Sequence, residues 1–308
     1  MNKERYIAFC EQHPARIPIF AQAWYLDAVC FDGTWDVAIV EENGEIQAVL
    51  PYFLKQKFGF YYITMPLFTK HLGPFFAKDY NLTEQHHILD QLIKQLPKVH
   101  AFYQNFHPDI TNWLPFYWAG YQQTTRYTYQ IRLDDVNKVF ENINRNMRRN
   151  IKKAQSQLII THDGSPETFY DINRLSFERQ GLNMPYTLEQ FLKHDAALAK
   201  HNARQIFFAK DESGRKHSAA YLIWDAKSSY YHLSGDDPEL RNSGAGILLV
   251  WEAIRFTKET LGLEIFDFEG SMMQSVETIR RQFGAVQVPY FYIWKYHSRL
   301  FKWLQRVK

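Results

Sequence analysis

The sequence predicts a mixed α/β fold built from two domains of similar layout, residues 1–133 and 134–308. Runs rich in β-branched and aromatic residues predict strands, and longer segments with an apolar residue every three or four positions predict helices. The two kinds of segment alternate in a similar order in both halves. Because the halves share no obvious residue-level repeat, the duplication is inferred from the order of elements alone.

The first half is predicted to have the order βββαβαβ. Its first two strands, residues 35–40 and 46–50, flank Glu42-Asn43-Gly44, and an Asn-Gly pair is typical of a tight hairpin turn. The apolar spacing of residues 82–96 indicates the first helix. The other predicted elements of this half are strands over 58–65, 98–106 and 124–133 and a short helix over 113–118.

The second half is predicted to begin with a helix over residues 136–158, next to a domain boundary near Asp134-Asp135. Ser165 before Pro166 predicts the start of another helix, because a hydroxyl cap followed by proline favours helix initiation. Residues 187–190 have the form of a capping box. The other predicted elements are strands over 159–162, 205–210, 219–224, 229–234, 265–268 and 290–296 and helices over 247–261 and 276–283.

The composition excludes several classes of protein. A hydrophobic content of 46% with 22% charged residues is typical of a folded chain and excludes wholesale disorder. The longest run without a charge, residues 110–125, contains Asn112, Pro115 and Gln122, so it cannot supply the ~20 apolar residues of a transmembrane helix. The formal net charge of +3 does not by itself indicate a nucleic-acid-binding protein.

The first residues and the cysteines favour an intracellular protein, which we expect to be cytoplasmic. Glu4, Glu11 and Pro14 precede any apolar stretch as long as a signal peptide needs. Cys10 and Cys30 allow at most one bridge, and we expect two free thiols that pack as small apolar groups.

The most specific local signal is the segment from Arg241 to Gly246, between a predicted strand and a predicted helix. Gly244 and Gly246 allow the backbone to approach a ligand closely, and the unpaired amides of a helix N-terminus attract a phosphate. The segment therefore predicts an anion-binding loop. The alternative is an ordinary glycine-containing turn between the two elements.

This Arg-x-x-Gly-x-Gly spacing resembles the coenzyme A pyrophosphate loop of the GNAT N-acyltransferase superfamily. Segments at 146–154, 230–235, 266–270 and 279–284 resemble, in this order, the motifs of the FemAB-type transferases. Members of that group attach amino acids from aminoacyl-tRNA to peptidoglycan precursors and resemble two GNAT-like domains in tandem. The resemblance covers nearly the whole chain.

The resemblance implies two tandem GNAT-like domains, each with a mixed, mostly antiparallel sheet flanked by helices. It further implies transfer of an acyl or aminoacyl group to an amine acceptor, a cell-wall or surface-glycan precursor. Acyl-CoA or aminoacyl-tRNA would be the donor, and the sequence does not choose between them. The loop residues expected to hold the donor phosphates are Arg241, Gly244, Ala245 and Gly246.

The chain also departs from the pattern of these transferases. No long heptad segment follows Leu158, so the coiled-coil arm of the aminoacyl transferases is expected to be absent. Where they carry a Phe-Lys pair before Phe-Gly, this chain has Ile279 and Arg280 before Phe283. Arginine keeps the positive charge and can steady an oxyanion, but it will not transfer a proton. The alternative for Arg280 is a solvated helix end.

Candidate proton acceptors lie near the predicted strand 265–268. Asp267 and Glu269 are expected on the same face of one extended strand, where two carboxylates raise each other's pKa. His232, on a neighbouring predicted strand, is the alternative base. The structural alternatives are a solvent-facing pair or a structural cap for the two carboxylates and a satisfied, half-buried histidine for His232. No tyrosine occurs over residues 271–284, where many coenzyme-A-dependent relatives have the residue that protonates the thiolate.

A basic segment near the start of the second half is the other informative feature. At 100° per residue its cations share one helix face, and apolar residues occupy the opposite face. The cations are Arg145, Arg148, Arg149, Lys152 and Lys153. Such a face suits tRNA phosphates, a nucleotide sugar or an anionic membrane surface, with Arg148 and Lys152 as candidate substrate contacts. An ordinary solvated face is the alternative.

The loop over residues 66–74, rich in proline and glycine, resembles a segment near the inter-domain cleft of FemAB-like relatives. Lys70 and His71 are therefore candidate contacts for the acceptor, and a plain ordered loop is the alternative. The histidines show no metal-site spacing, and we expect no metal. A non-catalytic RNA- or glycan-binding protein that retains the fold is the alternative function, and the sequence favours the enzyme over it.

Overall fold

The computed structural model describes residues 2–306, which form two compact units. The first contains residues 2–126 and 289–306, and the second contains residues 127–288. These limits differ from the predicted boundary at 133/134. The chain returns to the first unit at Pro289, because the strand that follows pairs with Ala101–Asn105 of that unit. The predicted division into domains stays a prediction.

The elements of both units are as follows. The helices are α1 (Asn2–Gln12), α2 (Ala23–Val29), α3 (Leu82–Gln95), α4 (Leu114–Trp118), α5 (Val136–Asn142), α6 (Arg145–Gln155), α7 (Pro166–Arg179), α8 (Leu188–Lys200), α9 (Ala245–Glu259), α10 (Gln274–Gln282) and α11 (Arg299–Arg306). The strands are β1 (Thr34–Glu42), β2 (Glu45–Lys57), β3 (Phe60–Thr64), β4 (Phe75–Phe76), β5 (Ala101–Asn105), β6 (Gln122–Arg132), β7 (Ile159–Thr161), β8 (Arg204–Lys210), β9 (Lys216–Trp224), β10 (Ser228–Asp236), β11 (Ile265–Asp267) and β12 (Val286–Tyr296).

The first unit is built on strands in the order β1-β2-β3-β5-β12, with β4 on β2. All these pairs are antiparallel except β3 with β5, and the β1–β2 hairpin turns at Asn43-Gly44 as predicted. One apolar cluster packs α3 through Leu89 and Leu92, and another packs α1 and α2 through Phe9 and Leu26. The sequence interpretation missed α1, α2, β4 and α11.

The second unit has strands in the order β6-β11-β10-β9-β8-β7. Its core gathers apolar residues from β6, β8, β9, β10, α6 and α9, including the buried stripe Met147, Ile151 and Ala154. Helices α7 and α8 begin at their predicted caps, Ser165 and Thr187, and the latter forms the predicted capping box. In this unit, β11 is parallel to β10 and antiparallel to β6.

Two boundaries in the second unit were predicted wrongly. The helix expected over residues 136–158 is divided, because Asn144 leaves the helical conformation and its side chain caps α6 by accepting from the Asn146 amide. The strand expected to carry both acidic residues ends at Asp267, and Glu269 has the left-handed φ of 57°. The order of the remaining elements follows the prediction.

No disulfide joins Cys10, which is buried, to Cys30, which is half-buried. Among residues 2–306, none of the helices has the length and apolar character needed to cross a bilayer. The mixed α/β fold class predicted from the sequence is confirmed.

Candidate active site

The predicted anion-binding loop forms a turn of 3-10 helix, Arg241–Ser243, that leads directly into α9. Gly244 is the N-cap of α9 with φ of 79°, a conformation that glycine adopts without steric cost. A Cβ atom on Gly244 would lie 3.5 Å from Cβ of Ala154, so the loop packs closely on α6. The amides of Gly246 and Ile247, in the first turn of α9, have no acceptor within the helix and are directed outward.

A cavity of about 250 Å³ opens beside this loop. The loop, strand β10 and the last turn of α10 form its walls. The lining residues are Ser218, Tyr231, Ser234, Asp236, Arg241, Gly244, Gly246, Ile247, Val250, Ile279, Arg280 and Phe283. The cavity therefore joins the predicted donor loop to Arg280, two features about 40 residues apart in the chain.

Arg280 is not the solvated helix end that the sequence left as an alternative. Its guanidinium lies 4.7 Å from the centre of the Phe268 ring, and no residue of the described range 2–306 accepts a hydrogen bond from its buried Nε. Burial lowers the pKa of Arg280, while the charges of Tyr231, Glu269 and Asp267 oppose this shift. A half-buried cation with a buried, unpaired donor in a cavity wall is suited to an anionic group of a ligand.

His232 occupies a β-bulge of β10. Tyr231 pairs with Leu222 and Leu233 with Tyr221, so His232 is the extra residue on its strand. A bulge redirects a side chain and interrupts pairing. The Nδ1 atom of His232 lies 2.6 Å from Oε1 of Glu269, and the side chains are only 2% and 13% exposed. The predicted neighbourhood of His232 and Glu269 is thus a direct hydrogen bond.

The pairing of β10 with β11 ends just before this bulge. The two strands share three residue pairs, the last being Tyr230 with Asp267, and β10 then continues to Asp236 without β11. The sheet therefore opens at the point where His232 and Glu269 meet. Carboxyl ends of parallel strands that separate in this way are a common location for ligands.

Asp267 has a different environment from Glu269. It is 1% exposed, and its carboxylate accepts hydrogen bonds from the Thr128 hydroxyl, from Gln130 Nε2 at 2.8 Å and from the Glu269 amide at 2.7 Å. Burial raises the pKa of Asp267 to about 6, against the effect of these donors, and the Glu269 charge adds to the rise. The sequence attributed the shift to the carboxylate pair, whereas desolvation is the larger cause.

This arrangement separates the roles of the two carboxylates. The Asp267 carboxylate is enclosed and fully hydrogen-bonded, and it holds the amide of Glu269 in the left-handed turn. Glu269 is the more exposed of the two carboxylates, with a side chain that is 13% exposed. Left-handed conformations of non-glycine residues cost free energy and persist where the surroundings fix them, as they do at functional sites.

Sequence reasoning missed two side chains of this region. The buried ring of His194, from α8, lies 5.2 Å from the ring of His232, and burial lowers the pKa of His194, so the imidazole is neutral at neutral pH. Asp236 places Oδ1 2.7 Å from where a Cβ of Gly246 would be. Both juxtapositions depend on packing between elements, and the sequence contains no signal for them.

The basic helix α6 is amphipathic as predicted. Arg145, Arg149, Lys152 and Lys153 are exposed, whereas Arg148 is half-buried. Within the described residues none of these side chains takes part in an ion pair, and Lys152 lies 5.9 Å from the Phe140 ring. Because α6 contacts Gly244 through Ala154 and Asn150, its cations lie in the same unit as the donor loop.

The remaining candidates, Lys70 and His71, belong to the first compact unit. Lys70 is half-buried, with Nζ 6.0 Å from the Tyr290 ring. His71 is completely buried against Tyr290, Phe20 and His107, and burial lowers its pKa. This enclosure does not favour the predicted contact of His71 with an acceptor.

Over residues 2–306, no group of three or more His, Cys, Asp or Glu side chains is placed to hold a metal ion. Within residues 127–288, Arg280 and the loop at Arg241 line one cavity, His232 and Glu269 form a hydrogen-bonded pair, and the charge of Glu269 acts on Arg280.

Residues 138–274 match a family described as "Acetyltransferase (GNAT) domain". The fold of the whole chain is similar to that of FemX, with a TM-score of 0.73 at 14% identity over 95% of this chain and 96% of FemX. It is also similar to L-PGS from Bacillus licheniformis, with a TM-score of 0.58 at 12% identity over 96% and 93% of the two chains. A search of curated protein sequences gave no significant match.

A tandem GNAT protein from the clavulanic acid biosynthesis pathway has a TM-score of 0.55 at 9% identity, over 95% of this chain and 94% of that one. Residues 138–274 thus match a GNAT domain, and the chain shares its fold with FemX and with a tandem GNAT protein. At identities this low, structural similarity establishes the fold and does not identify the donor or the acceptor.

Proposed function

We propose that this protein is a transferase that moves an acyl or aminoacyl group from a phosphate-bearing donor to an amine of a cell-wall or surface-glycan precursor. One observation carries the proposal. The cavity at the start of α9 contains a half-buried arginine, Arg280, whose buried Nε has no acceptor in the described residues, and that arginine experiences the charge of Glu269. The GNAT domain and the FemX-like fold support an acyltransferase.

In the proposed reaction the acceptor arrives as an ammonium ion and gives one proton to Glu269, and the second proton that the nitrogen releases on forming the amide passes to the leaving oxygen or sulfur. The nitrogen then bonds to the carbonyl carbon of the donor, and the ester oxygen or thioester sulfur leaves and takes up a proton. His232 donates from Nδ1 to Glu269 and so fixes the carboxylate that receives the amine proton. Arg280 steadies the negative charge that develops on the carbonyl oxygen, and it needs no proton transfer for that purpose.

The donor loop suits the phosphates of either acyl-CoA or aminoacyl-tRNA. Arg241 and the first turn of α9 line the cavity, where the guanidinium and the unpaired amides would hold phosphate oxygens. The Asp236 carboxylate opposes this, because it lies beside Gly246 and repels an anion. The exposed cations of α6 begin next to the loop and favour a polyanionic donor. Both donors are intracellular, so the proposed reaction takes place in the cytoplasm.

The proposal is tested by thermal unfolding of the protein with coenzyme A, acetyl-CoA, aminoacyl-tRNA and nucleotide-linked cell-wall precursors. A ligand at ~100 times its dissociation constant adds ~2.7 kcal/mol to the free energy of unfolding. We expect a donor and an amine-bearing precursor each to raise Tm, and the two together to give an N-acylated product by mass spectrometry. Binding of donor and precursor without any product would refute the transferase.

A second candidate function is non-catalytic binding of RNA or a glycan. It is favoured by the cations of α6, none of which is in an ion pair within the described residues, and by Arg280, which cannot transfer a proton. Replacing Arg148 and Arg149 by Glu separates the candidates. Loss of salt-sensitive RNA binding in a protein without transferase activity supports the second function, and binding that is independent of salt contradicts it.

A further inference from the structure

We infer that the first compact unit binds an anionic phospholipid bilayer through helix α11 and the hairpin between β2 and β3. This inference is independent of the proposed function. The surface, called here the α11 surface, has an apolar part and a cationic part. Its apolar residues are Phe58, Leu300, Trp303 and Leu304, and its cations are Lys55, Lys57, Arg299 and Lys302.

The apolar part of the α11 surface is exposed without being needed to attach the helix. Phe301 is 3% exposed and fixes α11 to β3, with its ring 5.2 Å from that of Phe60 and 5.4 Å from that of Tyr62. In contrast, Trp303 is 60% exposed and Leu300 57% exposed. The helix therefore has one apolar side chain that holds it to the sheet and an apolar surface that is turned to solvent.

The hairpin adds the most exposed aromatic side chain of the surface. Phe58 is 84% exposed and has a φ of 50°, and Gly59 completes the turn with a φ of 79°. A bulky aromatic residue is unfavourable at a left-handed position, where glycine, asparagine or aspartate is usual. Burial within the fold does not compensate for this cost. A contact outside the protein gives Phe58 a physical role.

The charges around the α11 surface identify the chemistry of its partner. Residues 46–78 and 278–306, which contain the hairpin and α11, include no Asp or Glu. Apolar and aromatic side chains mixed with Lys and Arg are the pattern of helices that lie in the interface of an anionic bilayer. A second copy of the chain would bring cations against cations, and the aliphatic Leu300 and Leu304 offer a nucleic acid no stacking surface.

The inference is tested by co-sedimentation of the full chain with sucrose-loaded vesicles. Vesicles of phosphatidylcholine with 30% phosphatidylglycerol, or with 30% phosphatidylserine, should bind equally well, and pure phosphatidylcholine vesicles should bind at least ten-fold more weakly. Binding should weaken as NaCl is raised from about 0.1 to 0.5 M. Equal binding to neutral vesicles, or binding to one anionic headgroup alone, would overturn the inference.

Two variants locate the surface. Trp303→Gln should weaken partitioning about ten-fold, because the indole no longer enters the interface. The matched control is Trp118→Gln, since Trp118 is 62% exposed and lies on α4, and it should bind like the wild type. Thermal unfolding and light scattering confirm the fold and the oligomeric state. An equal loss in both variants, or a dimer that Trp303→Gln dissociates, would contradict the inference.

The cationic part is tested in the same way. Arg299→Gln with Lys302→Gln should weaken partitioning about 25-fold, since each cation at an anionic bilayer contributes about a five-fold factor. The matched control removes two exposed cations of α6, Arg149→Gln with Lys153→Gln, and lowers the net charge equally. If this control weakened binding as much as the α11 pair, the bilayer contact would not lie on the α11 surface.

Discussion

Replacing Asp267 by Asn tests the electrostatics at the centre of the site. The raised pKa of about 6 means that the native state holds this proton more tightly than the unfolded chain, whose Asp has a pKa near 4. Between these values the unfolded chain releases its proton first. The stability that Asp267 contributes is therefore present at low pH and is lost as the pH rises through about 4 to 6.

The size of the effect follows from the shift. About two pKa units at ~1.4 kcal/mol each give a loss of about 3 kcal/mol in the free energy of unfolding between pH 4 and pH 7. In Asp267→Asn the new side chain would keep the bonds from Thr128 and from the Glu269 amide, and the Gln130 amide can rotate to accept from the new NH₂ group. The variant is therefore expected to fold and to lack this pH dependence.

Urea unfolding of the wild type and of Asp267→Asn, measured at intervals from pH 4 to pH 7, gives the comparison. The difference in the free energy of unfolding, variant minus wild type, should rise by about 3 kcal/mol over this range, because other titrating groups contribute equally to both proteins. A constant difference would show that the pKa of Asp267 is the same in the native and unfolded states and would refute the reasoning. A difference that falls as the pH rises would show that the native state lowers the pKa of Asp267, opposite to the prediction.

Three further predictions concern the same unit. Glu269→Gln should lower kcat at least ~100-fold, because the amide side chain no longer accepts the proton of the acceptor, and should leave the calorimetric Kd of the donor unchanged. An unchanged kcat would exclude Glu269 as the base. Asp236→Asn should tighten the binding of coenzyme A at least ~5-fold by removing a carboxylate from the anion site, and unaltered or weaker binding would contradict that placement. Gly270→Ala should destabilise the protein by at least ~2 kcal/mol more than Gly262→Ala. Both glycines have a φ of 69°, but only a Cβ at position 270 would lie 2.2 Å from the Tyr127 carbonyl oxygen. Equal urea midpoints for the two variants would argue against that close approach.

Local sequence signals predicted the parts of the site that one segment forms by itself. Arg241, Gly244 and Gly246 stand immediately before an apolar helical run, and the structure places them as a turn and cap at the start of α9. The buried apolar stripe of α6 was also predicted, because its residues recur with the helical period within a single helix. Their roles in binding remain proposals.

Features that depend on contacts between elements were not predictable. The bulge that redirects His232 is a shift of pairing between β9 and β10, and the turn at Glu269 depends on the hydrogen bonds of Asp267. His194 and Asp236 reach the site from a helix and a strand whose packing has no local pattern. Similarly, the helix predicted over 136–158 contains an internal cap at Asn144 that a smooth apolar period concealed.

The central claim, that the loop before α9 binds the phosphates of the donor, is tested most directly by calorimetry and thermal unfolding of Gly246→Trp. The indole should fill the cavity beside Arg241 and Arg280, and its Cβ meets only the end of the Asp236 side chain, which can move. Lys258→Trp, near the other end of α9, is the control. We predict that a saturating donor raises Tm by at least ~5 °C in the wild type and the control and leaves Gly246→Trp unchanged. An equal rise in all three proteins would place the donor elsewhere and contradict the account.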